Sequence, residues 1–147
     1  MHQEKWYEHQ LRVRYQETDQ MGVVYHANYL TWMEIGRTEL IRGMGYPYRL
    51  IESKGLLLPL VEADMKFKQP ARYDDLVAIY TRVSGYSSVR LEFAYEIRRQ
   101  NSPISPAGDL LVTGTTKHVW VNPSWKPVRI EKEEPALWRL LTDESSS

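Results

Sequence analysis

The chain has 147 residues, of which 42% are hydrophobic, and this length and composition suit one packed domain. Its 19 basic and 19 acidic side chains cancel, so charge gives no reason to expect nucleic acid or an anionic membrane as a partner. The absence of cysteine excludes disulfides and thiolate nucleophiles and fits a cytoplasmic protein. No stretch resembles a secretory signal or reaches the roughly 20 apolar residues that cross a bilayer, so we expect no membrane insertion.

The first part of the chain predicts a strand and then a long helix. Residues 8–16 alternate in polarity, with Leu11 and Tyr15 on the inward face, which is typical of a strand buried on one side. Over about 27–43 the apolar residues recur at helical spacing, and their wide face predicts a helix that is largely buried. Asn28 or a residue just before it is expected to cap this helix.

The remainder of the chain predicts mainly strands. Four segments have alternating or continuous apolar residues: 56–67, 76–84, 89–98 and 110–121. A short helical stretch at 47–54 precedes them, a loop at 101–109 separates the last two, and a short helix near 134–141 follows.

This order of elements predicts the fold class. Consecutive strands with tight connections form an antiparallel sheet, and the one long apolar helix must bury itself against a face of that sheet. We therefore expect an α+β fold in which a sheet wraps around a central helix. The chain is predicted to be a single domain over 1–147, with its core at about 8–122 and a C-terminal extension at 123–147.

The segment between the first predicted strand and the helix contains the candidate catalytic residues. Asp19 lies in a predicted turn with Gly22, and the helix begins soon after it. The free N–H groups at a helix start attract an anion or a developing oxyanion. A carboxylate facing such a helix start supplies two parts of acyl-transfer catalysis, although an acid in a turn is more often a structural cap.

Residues 15–39 contain the pattern Asp-x-x-Gly-x-Val-Tyr-His-Ala-Asn-Tyr followed by Trp-Met-Glu-x-x-Arg-Thr-Glu, and 70–75 reads Pro-Ala-Arg-Tyr-Asp-Asp. Over residues 8–122 the chain resembles the hydroxybenzoyl-CoA thioesterase branch of the hotdog superfamily. More narrowly, it is similar to bacterial acyl-CoA thioesterases associated with the Tol–Pal system. The resemblance implies the hotdog fold, a curved antiparallel sheet of about five strands wrapped around one long helix. It also implies a homodimer or homotetramer with active sites at subunit interfaces.

The resemblance also assigns roles at the site. It implies that the chain hydrolyses acyl-CoA to a free acid and CoA, without a cofactor. Asp19 matches the family's catalytic carboxylate, which either attacks the thioester carbonyl to form a mixed anhydride or activates a water molecule. The family's oxyanion donor, a backbone N–H at the helix start, falls on His26. The His26 side chain either orients Asp19 or water or is simply a polar group at the helix start.

Five further residues are candidates for binding the substrate. Tyr25 and Asn28 adjoin the helix start, although packing and capping are the more usual roles for these residue types. The phosphates of CoA call for polar and basic partners. Ser87, Ser88 and Arg90 are the candidates for that end of the substrate, in a turn where some relatives carry more basic residues. A scattered surface arginine is, however, more often only solvated.

A metal site and a non-catalytic binding function are the two alternatives to consider. The four histidines show no metal-ligand spacing, so no metal site is expected. A non-catalytic module that binds or senses acyl-CoA would use the same pocket. Asp19 argues against that alternative, because a pure binding site gains nothing from a carboxylate beside a carbonyl.

Overall fold

A computed structural model describes residues 5–100 and 108–146, the last three of them by backbone alone. The helices and strands are, in chain order, β1 (Tyr7–Arg12), α1 (Ala27–Gly43), α2 (Arg49–Ser53), β2 (Leu60–Phe67), β3 (Leu76–Tyr86), β4 (Arg90–Arg99), β5 (Asp109–Val119), α3 (Ile130–Glu133) and α4 (Pro135–Ser146). Most of the predicted 101–109 loop lies outside the described residues.

The five strands form one antiparallel sheet in the order β1-β3-β4-β5-β2. Helix α1 packs along this sheet and buries one whole face against it. The predicted α+β class, with its five-stranded sheet around one long helix, is therefore confirmed. The order of strands places β1 and β2 at the two edges, so residues 60–67 line one border of the sheet.

The core forms between α1 and the inward face of the sheet. Strand β4 alternates buried and less buried residues, as a strand covered on one side does, and β3 does so after Ile79. The side chains that α1 buries recur at helical spacing: Tyr29, Trp32, Met33, Leu40 and Ile41. Gly36 completes this stripe, because a Cβ atom there would lie 2.5 Å from the Thr81 Oγ1 atom of β3. A small residue thus lets the helix approach the sheet closely.

The first strand ends earlier than predicted. β1 stops at Arg12, and residues Tyr15–Glu17 form a 3-10 turn instead of continuing the strand. The Glu17 carboxylate accepts a hydrogen bond from the Arg14 N–H at 2.8 Å, which favours the turn locally. The prediction that Tyr15 points inward is therefore wrong, since its side chain is exposed.

Two further elements differ from the prediction by more than two residues at one end. β2 begins at Leu60 rather than at residue 56, directly after Pro59, which has no N–H to donate to the neighbouring strand. The C-terminal helix α4 is longer than predicted, and it buries Leu137 and Leu141 against the rest of the core. The C-terminal segment is thus part of the packed domain, beyond the core predicted at 8–122.

A polar chain crosses the interior next to α1. His118, which is 1% exposed, places its Nε2 atom 2.9 Å from the Thr116 hydroxyl, and that hydroxyl lies 2.6 Å from the Tyr95 hydroxyl. The Nδ1 atom of His118 lies 3.3 Å from the Leu58 carbonyl oxygen. A neutral imidazole satisfies both contacts. Burial, supported by the nearby positive charge of Arg37, lowers the pKa of His118 to about 4.

This histidine predicts a pH-dependent stability. We expect the free energy of unfolding to fall as the pH decreases from 6.5 towards 4, because the unfolded chain binds a proton at His118 that the folded chain excludes. The pKa shift corresponds to about 3 kcal/mol once the pH reaches the folded pKa. Urea unfolding across this range, compared between wild type and His118→Gln, measures the contribution. His9→Gln on β1 is the control, and identical pH slopes in wild type and His118→Gln would contradict the expectation.

Candidate active site

Asp19 opens a tight turn between the 3-10 turn and α1. Its carbonyl accepts the Gly22 N–H at 3.0 Å, and its own N–H donates to the Val23 carbonyl at 2.9 Å. Gly22 has a φ of +80°, a conformation that favours glycine. One carboxylate oxygen, Oδ1, accepts the Met21 N–H at 2.9 Å. Within the part of the chain that the structure describes, the Oδ2 atom accepts no hydrogen bond, so this oxygen is available for chemistry.

The start of α1 leaves backbone donors unused. His26 is the N-cap residue, and no side chain caps the helix there. Among residues 5–100 and 108–146, neither the His26 nor the Ala27 N–H has an acceptor. Such donors carry the partial positive charge of the helix start. The exposed Tyr25 ring packs on the His26 ring, with 4.4 Å between their centroids.

One cleft of about 270 Å³ is lined by both Asp19 and His26, the N-cap residue of α1. The apolar side chains of Met21, Val23 and Phe67 lie in the same wall. An apolar cleft with a few convergent polar groups is the usual form of a small-molecule site. The arrangement can hold an apolar group beside a carboxylate and the start of a helix.

Tyr29 forms another part of the same wall. Its hydroxyl accepts the Ala71 N–H at 3.1 Å, and the Val24 N–H donates to the Ala71 carbonyl at 2.8 Å. Residue 71 is therefore held by both α1 and the chain that leads into it. Burial raises the pKa of Tyr29, and the negative charge of Asp19 adds to the increase.

Asn28 has a different role from the predicted cap. Its Nδ2 atom donates to the Glu17 carbonyl oxygen at 2.9 Å, and the Tyr25 N–H donates to the same oxygen at 2.9 Å. The first turn of α1 is thereby tied to the residues that precede Asp19. The prediction named Asn28 or a residue just before it as the cap, and the N-cap residue is His26, whereas Asn28 makes these contacts instead.

The other predicted substrate-binding residues lie at the turn between β3 and β4. Ser87 and Arg90 line a second groove, and the Ser87 Oγ atom accepts the Arg90 N–H at 3.1 Å. The wall of this groove also includes Val61, Lys117 and His118. Ser88 lies outside the groove wall, and its hydroxyl donates to a Glu131 carboxylate oxygen in α3 at 2.9 Å. Within one chain, the structure does not bring this group together with Asp19.

Residues of two kinds at or near the site were not predicted from the sequence. Phe67, Gln69 and Pro70 reach the Asp19 cleft from the end of β2, and only the sheet topology brings them there. The burial of Glu17, which is 8% exposed, was also missed. Strand alternation gives no signal for it, because Tyr15 has the same parity and is exposed, and residues Tyr15–Glu17 form a 3-10 turn.

The described residues contain no group of three histidine, aspartate or glutamate side chains placed to hold a metal ion. None of the helices described is both long enough and apolar enough to span a bilayer.

Comparison with known proteins relates this geometry to a family. Residues 13–133 match the thioesterase-like superfamily. A Bacillus subtilis protein, provisionally named acyl-CoA thioesterase YneP, is 40% identical over 127 residues, which cover 86% of this chain and 88% of that protein. The acyl-CoA thioesterase YbgC of Haemophilus influenzae is 32% identical over 133 residues, covering 89% and 93% of the two chains. The crystal structure of a DHNA-CoA thioesterase from Staphylococcus aureus matches with a TM-score of 0.88 and 30% identity, over 96% of this chain and 91% of that chain.

The turn that contains Asp19 requires a positive φ at Gly22, and substitution of this residue tests that requirement. No atom lies within 4 Å of the position that a Cβ atom would take, so substitution meets no steric clash with the surroundings. We expect Gly22→Ala to lower the free energy of unfolding by about 1 kcal/mol through its positive φ alone. Gly22→Asn should cost less, because asparagine adopts this conformation more readily. Urea unfolding of both variants measures the difference, and equal stabilities of Gly22→Ala and wild type would contradict the account.

Proposed function

The chain belongs to the thioesterase-like superfamily, and from this premise we propose that it hydrolyses acyl-CoA thioesters to a free acid and CoA. The observation that carries the proposal is one cleft lined by both Asp19 and His26, the residue at the start of α1 whose N–H has no acceptor in the described part of the chain. Hydrolysis of a thioester needs both groups. The carboxylate attacks the carbonyl carbon or activates a water that does so, and the N–H groups stabilise the negative charge that develops on the carbonyl oxygen.

The proposed reaction uses this arrangement directly. The carbonyl oxygen points at the N–H groups of His26 and Ala27, and the Asp19 Oδ2 atom faces the carbonyl carbon or a water beside it. Direct attack and water activation both build negative charge on the carbonyl oxygen. Backbone donors stabilise that charge in either case, and one such donor contributes about 3–4 kcal/mol in known enzymes. The CoA thiolate is a good leaving group, so a carboxylate suffices without a Ser–His–Asp set.

Narrower assignments are part of the same proposal. The Asp-x-x-Gly-x-Val-Tyr-His-Ala-Asn-Tyr pattern supports placing the chain in the hydroxybenzoyl-CoA thioesterase branch, near the Tol–Pal-associated enzymes. A chain without cysteine also suits the cytoplasm, where thiols stay reduced.

We further propose that two copies combine to build each active site. β2 is an edge strand, with Val61 near one end beside the second groove and Phe67 at the other end in the Asp19 cleft. Antiparallel pairing of two β2 strands about their middle sets Val61 of each copy near Phe67 of the other. The groove that contains Arg90 then adjoins the partner's Asp19. A thioester in the cleft could thus extend its phosphates to that arginine.

Removing the charge of Asp19 tests the chemistry. We expect Asp19→Asn to lower kcat at least about 100-fold on a panel of acyl-CoA thioesters, because the amide can neither attack nor accept a proton. Release of free thiol measures the rate. Asp143→Asn on α4 is the control and should retain the wild-type rate.

The same panel tests the alternative function. A protein that binds acyl-CoA tightly without turnover would be a sensing module, and the enzyme proposal would be wrong. In that case Asp19 would serve only to hold its turn, through the hydrogen bond that its carboxylate accepts from the Met21 N–H. Full activity of Asp19→Asn would remove this carboxylate from the chemistry.

A charge on the edge strand tests the shared site. Val61 and Tyr73 are equally exposed, at 58%, but only Val61 lies on β2. We expect wild type and Tyr73→Glu to elute at twice the 17.3 kDa chain mass or a higher multiple. Val61→Glu should shift the protein towards the monomer and lower its activity, since pairing would bury the new carboxylate near the apolar Phe67 side chain of the other copy. Light scattering coupled to gel filtration measures the mass. An active monomer would refute the composite site.

A further inference from the structure

Glu17 places a carboxylate in the protein interior. Its side chain is 8% exposed, whereas acidic residues are almost never buried without partners. Burial of a charge carries a large cost in free energy unless hydrogen bonds compensate it. Glu17 is not among the side chains that line the Asp19 cleft. It therefore cannot act on a substrate directly, and its burial needs another explanation.

The partners of Glu17 come from both sides of the Asp19 turn. The Oε1 atom accepts the Arg14 N–H at 2.8 Å, and the Arg14 Nε atom lies 3.6 Å away. The Oε2 atom accepts the Trp32 Nε1–H at 2.8 Å, deep in the core on α1. The Glu17 carbonyl accepts hydrogen bonds from Tyr25 and Asn28. This one residue thus receives donors from the chain before the turn, from the chain after it, and from the helix.

These contacts join the two parts of the site whose separation decides the reaction. Asp19 follows Glu17 by two residues, and Thr18 between them forms a bridge to Val24 on the far side of the turn. Trp32 lies on the same rigid helix whose first residues carry the unbonded N–H groups. The Glu17–Trp32 hydrogen bond therefore fixes the distance between the carboxylate and the helix start.

We propose that Glu17 is a positioning residue, which holds the Asp19 carboxylate at the start of α1 through its hydrogen bond to the Trp32 indole. This inference rests on the proposed function. It adds that the buried acidic side chain two residues before Asp19 sets the rate without touching the substrate. Reaction rates depend steeply on such placement, since a shift of about 1 Å can cost 100-fold.

Two variants disturb the contact from its two ends. Glu17→Gln keeps the size of the side chain, but its amide oxygen can accept from only one of the Arg14 and Trp32 donors, because its NH2 group faces the other. Trp32→Phe keeps an aromatic ring in the core and removes the indole N–H. Glu134→Gln is the matched control. Glu134 is also a buried acid, at 6% exposed, and it accepts a hydrogen bond from Tyr46 at 2.7 Å far from the cleft.

Two measurements separate positioning from stability. The first is steady-state hydrolysis of an acyl-CoA that the wild type accepts. We expect Glu17→Gln and Trp32→Phe to lower kcat about tenfold or more with KM changed less than about twofold, because the lost interaction acts in the transition state. Glu134→Gln should keep kcat within about twofold. The second is amide hydrogen exchange at residues 18–26, which should accelerate in Glu17→Gln but not in Glu134→Gln.

Each outcome decides the inference. Wild-type kcat and wild-type exchange in folded Glu17→Gln overturn it and leave the proposed function intact. Equal losses of kcat in Glu17→Gln and Glu134→Gln also overturn it, since they report a general loss of stability. Should Glu17→Gln fail to fold, Trp32→Phe provides the same comparison. A wild type that hydrolyses no thioester refutes the proposed function, and amide exchange alone then decides whether Glu17 orders the turn.

Discussion

The burial of α1 against the sheet is the constraint on which the site depends. The helix buries one full stripe of side chains, and Gly36 lets it approach β3 closely. A helix held in this way cannot slide or rotate, so its first turn opens at a fixed place beside the sheet edge. The unbonded N–H groups of His26 and Ala27 are a consequence of where the helix begins. The chemistry at that end is therefore set by packing along the rest of the helix.

The turn that carries Asp19 is held to this rigid element by polar contacts in addition to the packing of Val24 in the core. Glu17 and Asn28 join it to α1, and Ala71 ties the helix to the chain that follows β2. Hydrogen bonds are directional, so they fix orientation in a way that apolar contacts do not. A loop that must present one carboxylate oxygen to a cleft benefits from that precision. Asp19 itself contributes by accepting the Met21 N–H at its other oxygen.

Much of the fold was predictable from the sequence because its periodicities are strong. The helix over 27–43 and the strand at 76–84 show clear spacing, and the structure places α1 and β3 there. The end of β1 was not predictable, because the Glu17 carboxylate turns the chain where alternation alone would continue. The pairing of Asp19 with the helix start was accessible from local order. The contribution of Phe67 was not, because it depends on which strand lies at the sheet edge.

In the proposed mechanism a thioester carbonyl binds between the Asp19 carboxylate and the start of α1. The most direct measurement is a crystal structure with an acyl-CoA analogue in which a methylene replaces the thioester sulfur. We expect the carbonyl oxygen within about 3 Å of the His26 or Ala27 N–H, with the carbonyl carbon facing Asp19. An analogue bound with its carbonyl away from these donors, or with Asp19 turned out of the cleft, would contradict it.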